Sequence, residues 1–164
     1  MALTRINNQA LTNVTSAGLP SGTVLQVKRG ITNTDNGNLT QTFADISLSV
    51  SITPKSTDSE ILIMVHARGY LQAGQGYALR LLRGTTEIFN PSASDGNDYI
   101  VYAGTSGNQH MPATFDYIDE PSTTSAVTYK VQARKYASSL EARVPSNGGT
   151  RNSTISITAM EIAG

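Results

Sequence analysis

The chain contains no cysteine and no tryptophan. Without thiols there can be no disulfide, no thiolate metal site and no cysteine nucleophile, so stability has to come from packing and association. Net charge is absent as well: twelve Lys and Arg balance twelve Asp and Glu. No global field therefore draws the protein toward nucleic acid or an anionic membrane, and neither is expected as a partner. No apolar run approaches bilayer length, which predicts no membrane insertion, and the polar start Met1-Ala2-Leu3-Thr4-Arg5-Ile6-Asn7-Asn8 lacks the apolar core of a secretory signal. The expectation is a product made in the cytoplasm. Sustained helical periodicity is missing too, because helix-favouring residues are scattered among Thr, Ser and Gly.

What is present is a period of two. Within residues 42–53, Ala44, Ile46, Leu48, Val50 and Ile52 share one face while Asp45, Ser47, Ser49, Ser51 and Thr53 share the other, as in a half-buried strand. Residues 59–71 begin apolar on both faces (Ile61, Leu62, Ile63, Met64, Val65), which predicts a strand covered twice. Residues 77–83 turn at Gly84-Thr85 into 86–89, a hairpin. Further strands are expected at 99–103, 113–118, 126–136, 140–144 and 153–162, with Gly, Asn, Asp and Pro between them. About nine short strands, no helix and no internal repeat indicate an all-β antiparallel sandwich or barrel. The length suits one domain. Residues 1–22 are rich in Asn, Thr and Ser, and Leu3, Ile6, Leu11 and Val14 are too sparse for a core. They are expected to be an extended N-terminal assembly arm that docks on a partner, ahead of a sandwich domain over 23–164.

Catalytic constellations are thin. The two histidines are His66, expected as a packed or interface residue in the 59–71 strand, and His110, expected as a candidate ligand contact in a Gly-Asn-Gln-His loop. No serine sits in a Gly-x-Ser-x-Gly elbow. Glu87, Glu120, Glu141 and Glu161 read as solvated acids near strand ends, with a glycosidase carboxylate pair as the weaker alternative. Asp95-Gly96-Asn97-Asp98 and Asp35-Asn36-Gly37-Asn38 are oxygen-rich loops that suit Asx turns better than calcium, and neither matches an EF-hand. No Gly-Lys-Ser/Thr phosphate loop occurs. No catalytic residue, metal or cofactor is expected.

Surfaces carry more information than any such cluster. Tyr70, Tyr77, Tyr99, Tyr102, Tyr117 and Tyr136 are amphipathic enough to stack on a sugar ring, against the plainer expectation that most fill the core or an interface. Tyr99, Asp95, Asp98 and His110 are the candidate ligand-facing loop residues. Because the 59–71 strand asks for cover on both faces, Leu62, Met64, His66 and Tyr70 are the candidate subunit interface of a closed homo-oligomer.

Several stretches carry a resemblance. Ile6-Asn7-Asn8-Gln9-Ala10-Leu11-Thr12 and the run from Val14-Thr15-Ser16-Ala17-Gly18-Leu19-Pro20-Ser21-Gly22 to Thr23-Val24-Leu25-Gln26-Val27 are similar to the lead-in of marine and cyanobacterial bacteriophage fibre and virion proteins. Four later segments agree with it: Leu82-Arg83-Gly84-Thr85-Thr86-Glu87-Ile88, Asp119-Glu120-Pro121-Ser122-Thr123-Thr124, Thr128-Tyr129-Lys130-Val131-Gln132-Ala133-Arg134 and Ile157-Thr158-Ala159-Met160-Glu161-Ile162. The resemblance covers nearly the whole chain. It implies a jelly-roll head similar to the complement C1q and tumour-necrosis-factor folds, homotrimeric, on the surface of a phage particle. Other phage virion proteins would be partners through the arm, and a host surface glycan would be a partner of the loops. A non-enzymatic tail-fibre-type adhesion module is the first expectation. The alternative, prompted by the short arm, is a capsid decoration or cement protein on the phage head, and a polysaccharide-degrading enzyme comes third.

Overall fold

The computed structural model describes residues 19–91, 99–148 and 151–164. The arm residues Leu3, Ile6, Leu11 and Val14, and the loop residues Asp95 and Asp98, lie outside the described residues. Twelve strands and no helix make up the described part: β1 (Val24–Thr32), β2 (Ala44–Ile52), β3 (Glu60–Leu71), β4 (Gly76–Arg83), β5 (Thr86–Phe89), β6 (Val101–Tyr102), β7 (Gln109–Asp119), β8 (Val127–Lys135), β9 (Ala142–Arg143), β10 (Asn147–Gly148), β11 (Arg151–Asn152) and β12 (Ile155–Ile162).

Two antiparallel sheets hold the long strands. The first runs β1-β12-β3-β7, with β9 also on β3; the second runs β2-β8-β4-β5, with β6 also on β4. The pairs β1 with β12, β2 with β8, β3 with β7 and β4 with β5 are those of one long antiparallel ribbon rolled on itself, first strand against last and inward to the central hairpin. That pairing makes the sandwich a jelly roll. Alternation supplies the core: Ile61, Ile63, Val65, Ile155 and Ile157 of the first sheet meet Ile46, Leu48, Ile52, Leu79, Leu81 and Val131 of the second, all at most 2 % exposed.

Three differences from the sequence-based expectations have physical causes. β1 carries the apolar residues Val27 and Ile31 on the solvent side, while Gln26 and Gly30 face inward, so its pattern does not announce a strand. In β2, a bulge between Asp45 and Leu48, with Ser47 at φ 57°, places Ala44 in solvent, although it matches the alternation of Ile46, Leu48, Val50 and Ile52. β7 starts at Gln109, so His110 belongs to a strand and not to a loop.

Candidate functional site

The two outer faces of the sandwich differ in chemistry. On the first sheet, register sets Val27 opposite Met160, Met160 opposite Leu62 and Leu62 opposite Ile118, an apolar row across all four strands. Val27 is 52 % and Ile118 51 % exposed. Val24 and Ile162 are also paired beside this row. The next rows turn polar in steps: Arg29, Thr158, Met64 and Asp116, then Ile31, Ser156, His66 and Thr114. A shallow groove of about 260 Å³ runs along Leu62, Met64, His66, Thr114, Phe115 and Asp116. At the far end Tyr70 faces His110, with ring centroids 5.3 Å apart.

All four residues of the expected interface, Leu62, Met64, His66 and Tyr70, thus lie on one outer face of β3. Sequence reasoning missed their neighbours Val27, Ile31, Ile118 and Met160. Those belong to three other strands, and only register brings them into the same rows. A signal was available in β12, where Met160 and Ile162 sit on the face opposite the buried Ile157 and Ala159.

The outer face of the second sheet is polar and internally bonded. Lys130 Nζ pairs with Asp45 at 3.0 Å and Gln132 Nε2 donates to the same carboxylate at 2.7 Å. The Gln132 hydrogen bond, with help from the Lys130 ammonium and the Arg80 charge, holds the Asp45 carboxyl below its ordinary range against the desolvation that opposes it. Arg80 bridges Gln132 and Glu87 and lies 4.4 Å from the centre of the Phe43 ring. Where this face meets the end of β4, Tyr99, Tyr102 and Tyr136 gather, with centroids 4.9, 5.4 and 6.3 Å apart. Tyr102 pairs with Gly76 and the Tyr136 N–H donates to the Gly76 carbonyl, so both rings flank that glycine. A Cβ at Gly76 would sit 2.9 Å from Tyr99, whose ring needs the bare backbone as its seat. Of the other tyrosines, Tyr77 is fully buried and burial pushes its hydroxyl pKa up, while Tyr117 stacks on Phe89 at 5.0 Å.

Several of the titratable groups are engaged within the fold. Glu161, expected at the surface, is completely buried and its carboxylate accepts from the Lys55 N–H, the Ser59 hydroxyl and Gln26 Nε2. Asp119 is buried too; it takes Arg83 at 3.0 Å and the Tyr129 hydroxyl at 2.7 Å, and burial together with that carboxylate drives the Tyr129 hydroxyl pKa upward. Glu87 is paired with Arg80 and Glu141 with Arg143, whose pKa that hydrogen bond raises. His110 Nδ1 hydrogen-bonds Ser146 Oγ, but Ser146 is only 4 % exposed and out of reach of a substrate. In the Asp35 to Asn38 loop, Asp35 accepts the Gly37 N–H and Arg143, Asn36 donates to the Ile46 and Val144 carbonyls, and Asn38 accepts the Ala142 N–H. That loop is a strut bonded to its own protein. Among the described residues no three His, Cys, Asp or Glu side chains are grouped to hold a metal ion.

No family model and no curated protein matches the chain. Among solved structures it is similar to the dimeric latent PorU of Porphyromonas gingivalis, at 9 % identity and a TM-score of 0.38, over 88 % of this chain. The chain spans 14 % of that protein's length.

Proposed function

We propose that this chain is a non-catalytic structural protein of a bacteriophage particle, a homotrimeric jelly-roll head displayed on the virion surface, with the outer face of the β1-β12-β3-β7 sheet as its subunit contact. The Val27, Met160, Leu62 and Ile118 row carries the proposal. Monomeric soluble proteins seldom leave a contiguous apolar stripe across a whole sheet in water, and a closed cyclic assembly removes it from solvent for every copy at once. The polar rows with Arg29, Asp116 and His66 suit the rim of such a contact. The internally bonded outer face of the second sheet then points outward. Residues 1–22 serve as the arm that docks on neighbouring virion proteins, and the role is tail-fibre-type adhesion to the host surface. The resemblance of the lead-in and the four later segments supplies the virion setting.

The test is mass. Light scattering of the purified chain should give three chains per particle at micromolar concentration, and Ile118→Lys or Leu62→Lys should give one chain with unchanged circular dichroism. A wild-type mass of one chain refutes the subunit contact. Gold-labelled antibody on intact particles then separates an adhesion module, marked at the tail, from a capsid decoration protein, marked over the head.

A further inference from the structure

We infer that Tyr99, Tyr102 and Tyr136 form a carbohydrate-binding platform on the outer face of the second sheet, taking the pyranose ring of a surface glycan. The inference deepens the adhesion role proposed above and rests on it. Tyr102 is 38 % and Tyr136 46 % exposed, although both have apolar ring faces to hide. The three rings are held at fixed angles: Tyr136 stands edge-on to the other two, at 81° to Tyr99 and 80° to Tyr102. The seat over Gly76 and the Gln41 Nε2 bond to the Tyr136 carbonyl, 2.8 Å, fix the backbone beneath them. A platform built in advance loses little conformational entropy when a ligand arrives.

A cleft of about 410 Å³ opens beside Tyr136, lined by Gln41, Arg134, Ser138 and Ser139 among others. Rings next to hydroxyl and amide groups match a sugar, which presents a C–H face for stacking and a rim of hydroxyls for hydrogen bonds. Other occupants fit less well. The subunit stripe on the opposite layer is aliphatic, whereas this cluster is aromatic and hydroxylated. A nucleotide would require disengaged cations, but Lys130 is paired with Asp45 and Arg80 with Glu87, Arg134 of the cleft lies over the Phe43 ring at 5.0 Å, and Lys135 is turned inward to the Leu140 carbonyl. The cluster lies on the sheet opposite the apolar row, so a trimer joined through that row would present three platforms outward and gain avidity on a repetitive polymer.

The experiment is binding of the full chain to a printed array of bacterial surface polysaccharides and defined oligosaccharides. Wild type should retain at least one saccharide. Tyr136→Ala and Tyr102→Ala should each weaken it at least tenfold, Tyr136→Phe should keep most of the stacking, and Ser139→Arg should fill the cleft and weaken binding with all tyrosines in place. Lys130→Ala, away from the rings on the same face, should bind as wild type. No saccharide retained, or retention unchanged in the Tyr102→Ala, Tyr136→Ala double variant, overturns the platform. Light scattering on the same samples reports on the subunit contact separately, so a monomeric protein that still binds sugar through the tyrosines would refute the trimer and leave the platform standing.

Discussion

Replacing Glu161 tests how this sandwich tolerates a charge in its interior. The carboxylate is fully buried and ties three segments together: Gln26 of β1, the Lys55 N–H and Ser59 of the connection before β3, and its own strand β12. Glu161→Ala strands two donors, the Ser59 hydroxyl and the Lys55 N–H, at about 1–3 kcal/mol each, and removes one methylene at about 0.8 kcal/mol. Against this, the cost of dehydrating the carboxylate, several kcal/mol, is no longer incurred. The balance is a destabilisation of about 2 kcal/mol, because the donors left behind are neutral and no unpaired charge stays buried. In Glu161→Gln the amide oxygen can keep both Ser59 and Lys55. Its NH₂ then confronts the Gln26 amide, which must rotate and give up its bond to the Thr53 carbonyl; the relieved dehydration is offset by the weaker neutral hydrogen bonds to Ser59 and Lys55, so the loss is about 1 kcal/mol. Urea unfolding followed by tyrosine fluorescence, undisturbed by tryptophan in this chain, measures both at one fixed protomer concentration. A Glu161→Gln variant less stable than Glu161→Ala, or a Glu161→Ala variant within about 0.5 kcal/mol of wild type, would refute the reasoning, since surface acids change stability by no more than that.

Other perturbations probe separate parts of the fold. A Cβ at Gly30 would lie 1.9 Å from the Ser49 carbonyl oxygen, where β1 closes over β2, so Gly30→Ala should destabilise by about 1–3 kcal/mol; an unchanged melting temperature would show that the two edges separate freely. Tyr129→Phe removes the hydroxyl donor to buried Asp119 and leaves Arg83, for a loss of about 1.5–3 kcal/mol in the urea midpoint analysis, and no loss would mean that Arg83 alone satisfies the carboxylate. Asp45 has its folded-state pKa below the unfolded value, so its contribution is present above about pH 4 and fades as pH falls through the folded value. The gap between the urea midpoints of wild type and Asp45→Asn, present at pH 6, should therefore shrink steadily as the pH is lowered below about 4, and a gap that does not change with pH would assign the effect to packing.

Much of the architecture was legible because alternation is a local property. The 42–53 and 126–136 segments show their wet and dry faces within a few residues, and the doubly apolar start of 59–71 marked the strand that lies inside its sheet and carries apolar residues on both faces. The same local logic failed where partners are distant. Glu161 reads as a solvated acid because its three donors lie 102 to 135 residues away in the chain. His110 reads as a loop residue because Gly104 and Gly107 precede it, yet pairing with β3 continues to Gln109.

Composition and periodicity by themselves determined an all-β chain without disulfides, thiol chemistry or a global electrostatic field, and they singled out β3 as a strand needing cover on its outer side. Only the tertiary structure decided which residues share that outer face. The apolar row draws one residue each from β1, β12, β3 and β7, and the tyrosine platform joins residues 99, 102 and 136 over Gly76. The physical reason is that a strand's period assigns each side chain to a face, whereas its neighbours on that face are set by hydrogen-bond register between strands far apart in the chain.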